Sequence, residues 1–158
     1  MGSLNHSLIQ AQLTRLLPDE NFTIAVELSL DVSQTDLSQF GLKVKEELKP
    51  DISLYEETYE PNPREDIVKM SKMPSLAIEI LSPTQGFNDI FPKFKAYFAL
   101  GVKSCWLVTP ALESVAVYSV GQYKPYDIAH DTEVIDETLN IRLPPQKIFR
   151  KKKVGKLD

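Results

Sequence analysis

The chain has 158 residues, 42% of them hydrophobic and 25% charged, with 18 Lys and Arg against 22 Asp and Glu for a formal net charge of -4. That length and mix describe one globular domain able to bury roughly two-thirds of its unfolded surface, and they exclude a disordered chain. The negative balance excludes a protein that coats nucleic acid by charge alone, because that mode is driven by counterion release against Lys and Arg; it leaves room for a small catalytic contact.

Leu4, Leu8, Ala11, Leu13, Leu16 and Leu17 recur at roughly helical spacing before Pro18-Asp19, so a first amphipathic helix is expected there. Phe22, Ile24, Val26, Leu28, Leu30 and Val32 then alternate with a period of two, which predicts one half-buried strand over 22–32. Residues 31–41 are polar and turn-like, and a short stretch follows over 42–45. Pro50 punctuates the chain ahead of Ile52, Leu54 and Tyr55, placing Asp51 at a strand entrance. Glu56 to Met73 carries Pro61, Pro63 and many charges, and reads as a long loop of the kind that often serves function.

Ser75 to Leu81 is a short apolar run between Pro74 and Pro83, as expected of a central strand covered on both faces. A helix is expected from near Asn88 to Leu100, with Phe87, Ile90, Phe91, Phe94 and Phe98 as its apolar stripe and Gly101 ending it. Pro92 fits only in its first turn, where backbone donors lack intrahelical partners. Residues 105–108, 114–120 and 123–128 read as further strands, with Trp106, Tyr97, Tyr118 and Tyr123 as core or half-buried aromatics. The order amounts to a mixed sheet with helices packed on it: one α/β (α+β) domain over 1–150, followed by a basic tail over 151–158. The cluster Arg150, Lys151, Lys152, Lys153 and Lys156 reads as a solvated end.

The single Cys105 allows no intramolecular disulfide, which fits a reducing cytoplasmic setting. No run approaches the roughly 20 apolar residues of a membrane span, the first 20 residues lack a signal-peptide pattern, and His6 stands where a myristoylation signal needs Ser or Thr. With two His residues and no Gly-x-Ser-x-Gly, neither a hydrolytic triad nor a paired-His metal motif is expected.

Two segments carry the chemistry: Lys49-Pro50-Asp51 and Ala77-Ile78-Glu79-Ile80-Leu81-Ser82-Pro83. Glu79 sits inside an apolar run, where a carboxylate is costly unless a metal, a cation or a proton compensates it. Neighbouring strands lie about 4.8 Å apart, so Asp51 and Glu79 can form a cup for a hard cation such as Mg²⁺. Hydrolysis of a phosphodiester would then call for a Lys to position water and offset charge on the phosphate. Two residues after Glu79 stands Leu81, so the following helix must supply it. Lys93 and Lys95 fall on opposite flanks of the helix; Asp89, Lys93 and Tyr97 follow one edge, which favours Lys93. Each of Asp51, Asp89 and Lys93 alone also reads as an ordinary turn or helix-surface residue. His6 on the first helix is within reach of such a site, although a lone His reads more simply as a surface or packing residue.

As a set, Lys49-Pro50-Asp51, Ile78-Glu79-Ile80-Leu81-Ser82-Pro83, Asp89, Lys93, Tyr97, Gly101-Val102, Trp106-Leu107-Val108, Val115-Ala116-Val117-Tyr118, Leu143-Pro144 and Ile148-Phe149 resemble the Uma-type restriction endonucleases of the PD-(D/E)XK nuclease superfamily. The resemblance spans nearly the whole chain. It implies a restriction-endonuclease-like core, with Asp51 and Glu79 as ligands of Mg²⁺ or Mn²⁺, the backbone carbonyl of Ile80 completing the cup, Lys93 as the catalytic lysine moved onto the helix, and Asp89 and Tyr97 at the site's edge. It implies DNA as substrate, and double-strand cleavage needs two sites, hence a homodimer. The chain departs from the pattern at Thr109, in the neutral loop Thr84-Gln85-Gly86-Phe87, and at Pro92. The alternatives are a nuclease-fold binding or dimerisation module that no longer cuts, and a hydrolase of RNA or a modified nucleotide.

Overall fold

The computed structural model describes residues 2–43 and 47–150. Helix α1 (Leu4–Leu16) leads into β1 (Thr23–Val26), β2 (Ile52–Tyr55), β3 (Leu76–Ile80), helix α2 (Phe87–Ala99), β4 (Ser104–Thr109), β5 (Ser114–Ser119), β6 (Gln122–Asp127), β7 (Val134–Asp136), β8 (Ile141–Leu143) and the short helix α3 (Pro145–Phe149). Strands β1 to β6 form one sheet in chain order, while β7 and β8 pair as a separate hairpin. Only β3 and β4 run parallel, and α2 makes the crossover that a parallel pair requires. The mixed sheet flanked by helices is the architecture expected from the sequence.

Strand alternation divides the core between the two sheet faces. Ile52, Leu54, Ile78, Ile80, Trp106 and Val108 pack with Ile9 and Leu13 of α1 and with the β7–β8 hairpin. Tyr55, Ala77, Cys105 and Leu107 pack with Ile90, Phe94 and Tyr97 of α2 on the other face. Every residue of β3 and β4 is buried, as the apolar run around Glu79 implied. Each fully buried Leu or Ile contributes about 1.5–3 kcal/mol of transfer free energy, so this central pair contributes heavily to the stability of the core.

Several expectations are corrected. The buried face of α1 is His6, Ile9 and Leu13, continued by Leu17, so the expected leucine series holds at Leu13 and Leu17 and fails at its start, where Leu4 is 72% and Leu8 55% exposed. His6, Ile9, Leu13 and the following Leu17 also keep helical spacing, and their side of the helix meets the sheet. The strand over 22–32 is cut to Thr23–Val26, because Glu27 takes a positive φ of 51° that bends the chain out of the ladder. Leu30 instead bridges Leu48 and Met70. Helix α2 starts at Phe87 with Gly86 as its N-cap, which puts Pro92 in the second turn rather than the first. The carbonyl that loses its partner there belongs to Asn88, which is solvent-exposed, so water can serve it. Tyr123 is exposed, with its ring 4.9 Å from that of Tyr118. The stretch expected over 42–45 falls partly, and the basic tail over 151–158 wholly, outside the described residues.

Candidate active site

The antiparallel register of β2 and β3 pairs Ile52 with Ile78. One step further along the ladder, Asp51 comes opposite Glu79 at one end of adjacent strands, and Glu79 shares with Ala77 the face that α2 covers. Asp51 Oδ2 accepts a 2.6 Å hydrogen bond from the Ile80 backbone N–H. The Asp51 carbonyl accepts from the Glu27 N–H at 3.1 Å and from Gln10 Nε2 at 2.9 Å. Asp51 is thereby tied to β3, to the end of β1 and to α1.

Glu79 is buried, and its two oxygens are treated differently. Oε2 accepts a hydrogen bond from the Tyr97 hydroxyl at 3.1 Å, and Oε1 lies 3.9 Å from Lys93 Nζ. Burial pushes the Glu79 carboxyl up to about 8, and the Asp51 charge adds to the rise; Lys93 and the Tyr97 hydrogen bond oppose it without reversing it. The Tyr97 hydroxyl is in turn held well above its ordinary value by burial and by Glu79. A carboxyl that retains its proton near neutrality is what burial produces when the neighbouring cation does not offset it.

The lysine at this carboxylate is Lys93, with a side chain 25% exposed; Lys95, two residues on, faces solvent. Tyr97 sits one turn after Lys93 on the same edge of α2. Asp89, at the head of that edge, is directed elsewhere: its Oδ2 accepts from the Gly86 N–H at 2.9 Å and caps α2. His6 enters the site from α1, with Nε2 3.1 Å from Asp51 Oδ1. Gln10 was not singled out from the sequence, although its place one turn after His6 would have put it beside the same residue.

Among the described residues no three His, Cys, Asp or Glu side chains gather closely enough to hold a metal ion. Asp51 and Glu79 offer two carboxylates, hard oxygen donors of the kind that suit Mg²⁺ or Mn²⁺. The raised Glu79 carboxyl fits the same group, since a divalent cation held there would compensate the buried carboxylate and offset the Asp51 charge.

The Uma2 family model, described as putative restriction endonuclease, matches residues 1–145 of the chain. The fold is similar to that of a crystal structure of a putative nuclease belonging to DUF820 from Anabaena variabilis ATCC 29413, with a TM-score of 0.71 and 22% sequence identity over 94% of this chain and 82% of that one. No curated protein matches the chain. No helix among the described residues is long and apolar enough to cross a membrane.

Proposed function

Because the chain belongs to the Uma2 family, we propose that it is a divalent-metal-dependent endonuclease hydrolysing DNA phosphodiester bonds, with Asp51, Glu79 and Lys93 as its catalytic residues. The observation that carries this reading is the convergence of a buried carboxylate, Glu79, with Lys93 Nζ at 3.9 Å from its Oε1, beside Asp51, whose Oδ2 is held by the Ile80 backbone N–H, next to Glu79 on the same strand. Asp51, Glu79 and the Ile80 carbonyl would hold Mg²⁺ or Mn²⁺, which when bound supplies the polarisation of the phosphate and the lowered pKa of a water.

The remaining chemistry belongs to the chain. The Ile80 N–H holds Asp51 Oδ2, and the Tyr97 hydroxyl holds Glu79 Oε2, so each carboxylate presents a fixed face. Glu79 would have to give up its proton to serve as a ligand, so activity should rise with pH through the range in which the carboxyl ionises. Lys93 Nζ, on the Oε1 side, is placed to orient the attacking water and to stabilise the charge that builds on the phosphate. A homodimer would supply the two sites that double-strand cleavage needs; sedimentation showing only monomer at assay concentration overturns that part.

The test is nicking of supercoiled plasmid in Mn²⁺ and in Mg²⁺ at low salt, where weak phosphate contacts survive, beside Glu79→Ala and Lys93→Ala. Cleavage by the parent and its loss in both variants supports the assignment. Cleavage that survives in both refutes it, and a parent that neither cuts nor binds Mn²⁺ points to a non-catalytic module built on the nuclease fold.

A further inference from the structure

Helix α1 contributes to the site through a residue that its packing does not explain. His6 lies on the buried face with Ile9 and Leu13, where an apolar side chain would serve the core, and its side chain is only 4% exposed. Its Nε2 has no aligned hydrogen-bond partner, and Asp51 Oδ1 stands 3.1 Å away. A buried ring nitrogen without a partner is costly, and such an orphan calls for a reason. Ser3 fixes the turn that carries it: the Ser3 hydroxyl accepts from the His6 backbone N–H at 3.2 Å and caps α1.

One turn on, Gln10 donates to the Asp51 carbonyl oxygen at 2.9 Å. Two residues at i and i+4 on one helix thus meet one residue on the sheet, His6 at its carboxylate and Gln10 at its backbone. Oδ2 is already held by Ile80, so Oδ1 is the oxygen whose direction is left to be set.

We propose that α1 acts as a clamp on Asp51, with His6 as a positioning residue that directs Oδ1 and Gln10 as the residue that fixes the strand entrance beneath it. The clamp rests on the metal-site reading above and extends it to a helix on the opposite face of the sheet. His6 is a supporting partner and not a third ligand, in keeping with the two-carboxylate cup. Partners of this kind orient a ligating carboxylate, and their loss typically weakens metal binding by about 10- to 100-fold.

The experiment is Mn²⁺ titration by calorimetry of the parent, His6→Leu, His6→Gln and Gln10→Ala, each paired with a urea unfolding curve in the absence of metal. Leu keeps the apolar packing and removes the donor; Gln returns a donor at similar reach. The clamp predicts Mn²⁺ affinity lowered about 10- to 100-fold in His6→Leu, largely recovered in His6→Gln, and lowered in Gln10→Ala, with no matching order in metal-free unfolding midpoints. Mn²⁺ affinity in His6→Leu equal to the parent's overturns the clamp while leaving the metal site standing. Should His6→Leu fail to fold, unchanged affinity in Gln10→Ala overturns it. Absence of Mn²⁺ binding by the parent overturns the metal-site reading and the clamp together.

Discussion

Replacing Glu79 with Gln tests the electrostatics of the site without any substrate, because the amide keeps the shape and removes the ionisable proton. The folded carboxyl is raised from an ordinary 4.5 to about 8, chiefly by burial and then by Asp51. A carboxyl raised in this way keeps its proton in the fold where the unfolded chain has lost it. Its contribution to stability is fully present below the unfolded value and is lost as the pH climbs through the folded one. The gap between 4.5 and about 8, at about 1.4 kcal/mol per pH unit, caps the loss at about 5 kcal/mol, of which about 3 kcal/mol is gone by neutrality. In metal-free buffer, urea unfolding of the parent should lose about 2–3 kcal/mol relative to Glu79→Gln between about pH 5.5 and about pH 7.5. Taking the difference between the two proteins cancels the titrating groups that do not interact with Glu79. Parallel stability curves across that window would refute the reasoning, since they would mean that Glu79 ionises in the fold as it does in the unfolded chain.

Adding Mn²⁺ should raise the unfolding midpoint of the parent, by an amount that grows with pH as Glu79 becomes easier to ionise; a thermal shift series at several pH values checks this, and Glu79→Gln should lose most of the shift. Tyr97→Phe removes the hydroxyl that donates to Glu79 Oε2, so it should cost about 1 kcal/mol and move the Glu79 ionisation still higher, read as a later pH rise in Mn²⁺ binding. Asp136→Ala should cost about 2–5 kcal/mol by urea unfolding, because buried Asp136 accepts from both Trp106 Nε1 at 2.9 Å and the Leu139 N–H at 3.0 Å, and its removal leaves two buried donors unpaired.

The strands that hold the site were legible because their signals are local. Pro50 before Ile52, and the unbroken apolar run between Pro74 and Pro83, mark β2 and the doubly covered β3 by composition alone. The helical edge carrying Lys93 and Tyr97 followed from a period of 3.6, and both residues meet Glu79. What escaped depended on which neighbour each element finds. The leucines of α1 keep helical spacing on more than one side, and only the sheet decides that the side with His6 turns inward. The alternation after Phe22 continues past Val26, but pairing stops where Glu27 adopts a left-handed conformation and donates to the Asp51 carbonyl. Asp89 shares the edge of Lys93, yet at the third position of α2 its carboxylate has a nearer donor in Gly86, and the cap claims it.

The two carboxylates are built by different means, and that difference bears on how the site works. Asp51 is over-determined in position: Ile80, Glu27 and Gln10 hold its side chain and carbonyl, and His6 stands over its free oxygen. Glu79 is determined in energy, with one hydrogen bond, one distant lysine and burial deep enough to keep its proton. On the proposed reading, a cation arriving at such a pair would meet one carboxylate already aimed and one whose proton must be released. Position would then be settled before binding and ionisation coupled to it, so that the acidic pair carries one charge between its strands rather than two until a cation compensates both. The buried β3–β4 pair, with a core on each face, supplies the stability against which that proton is held.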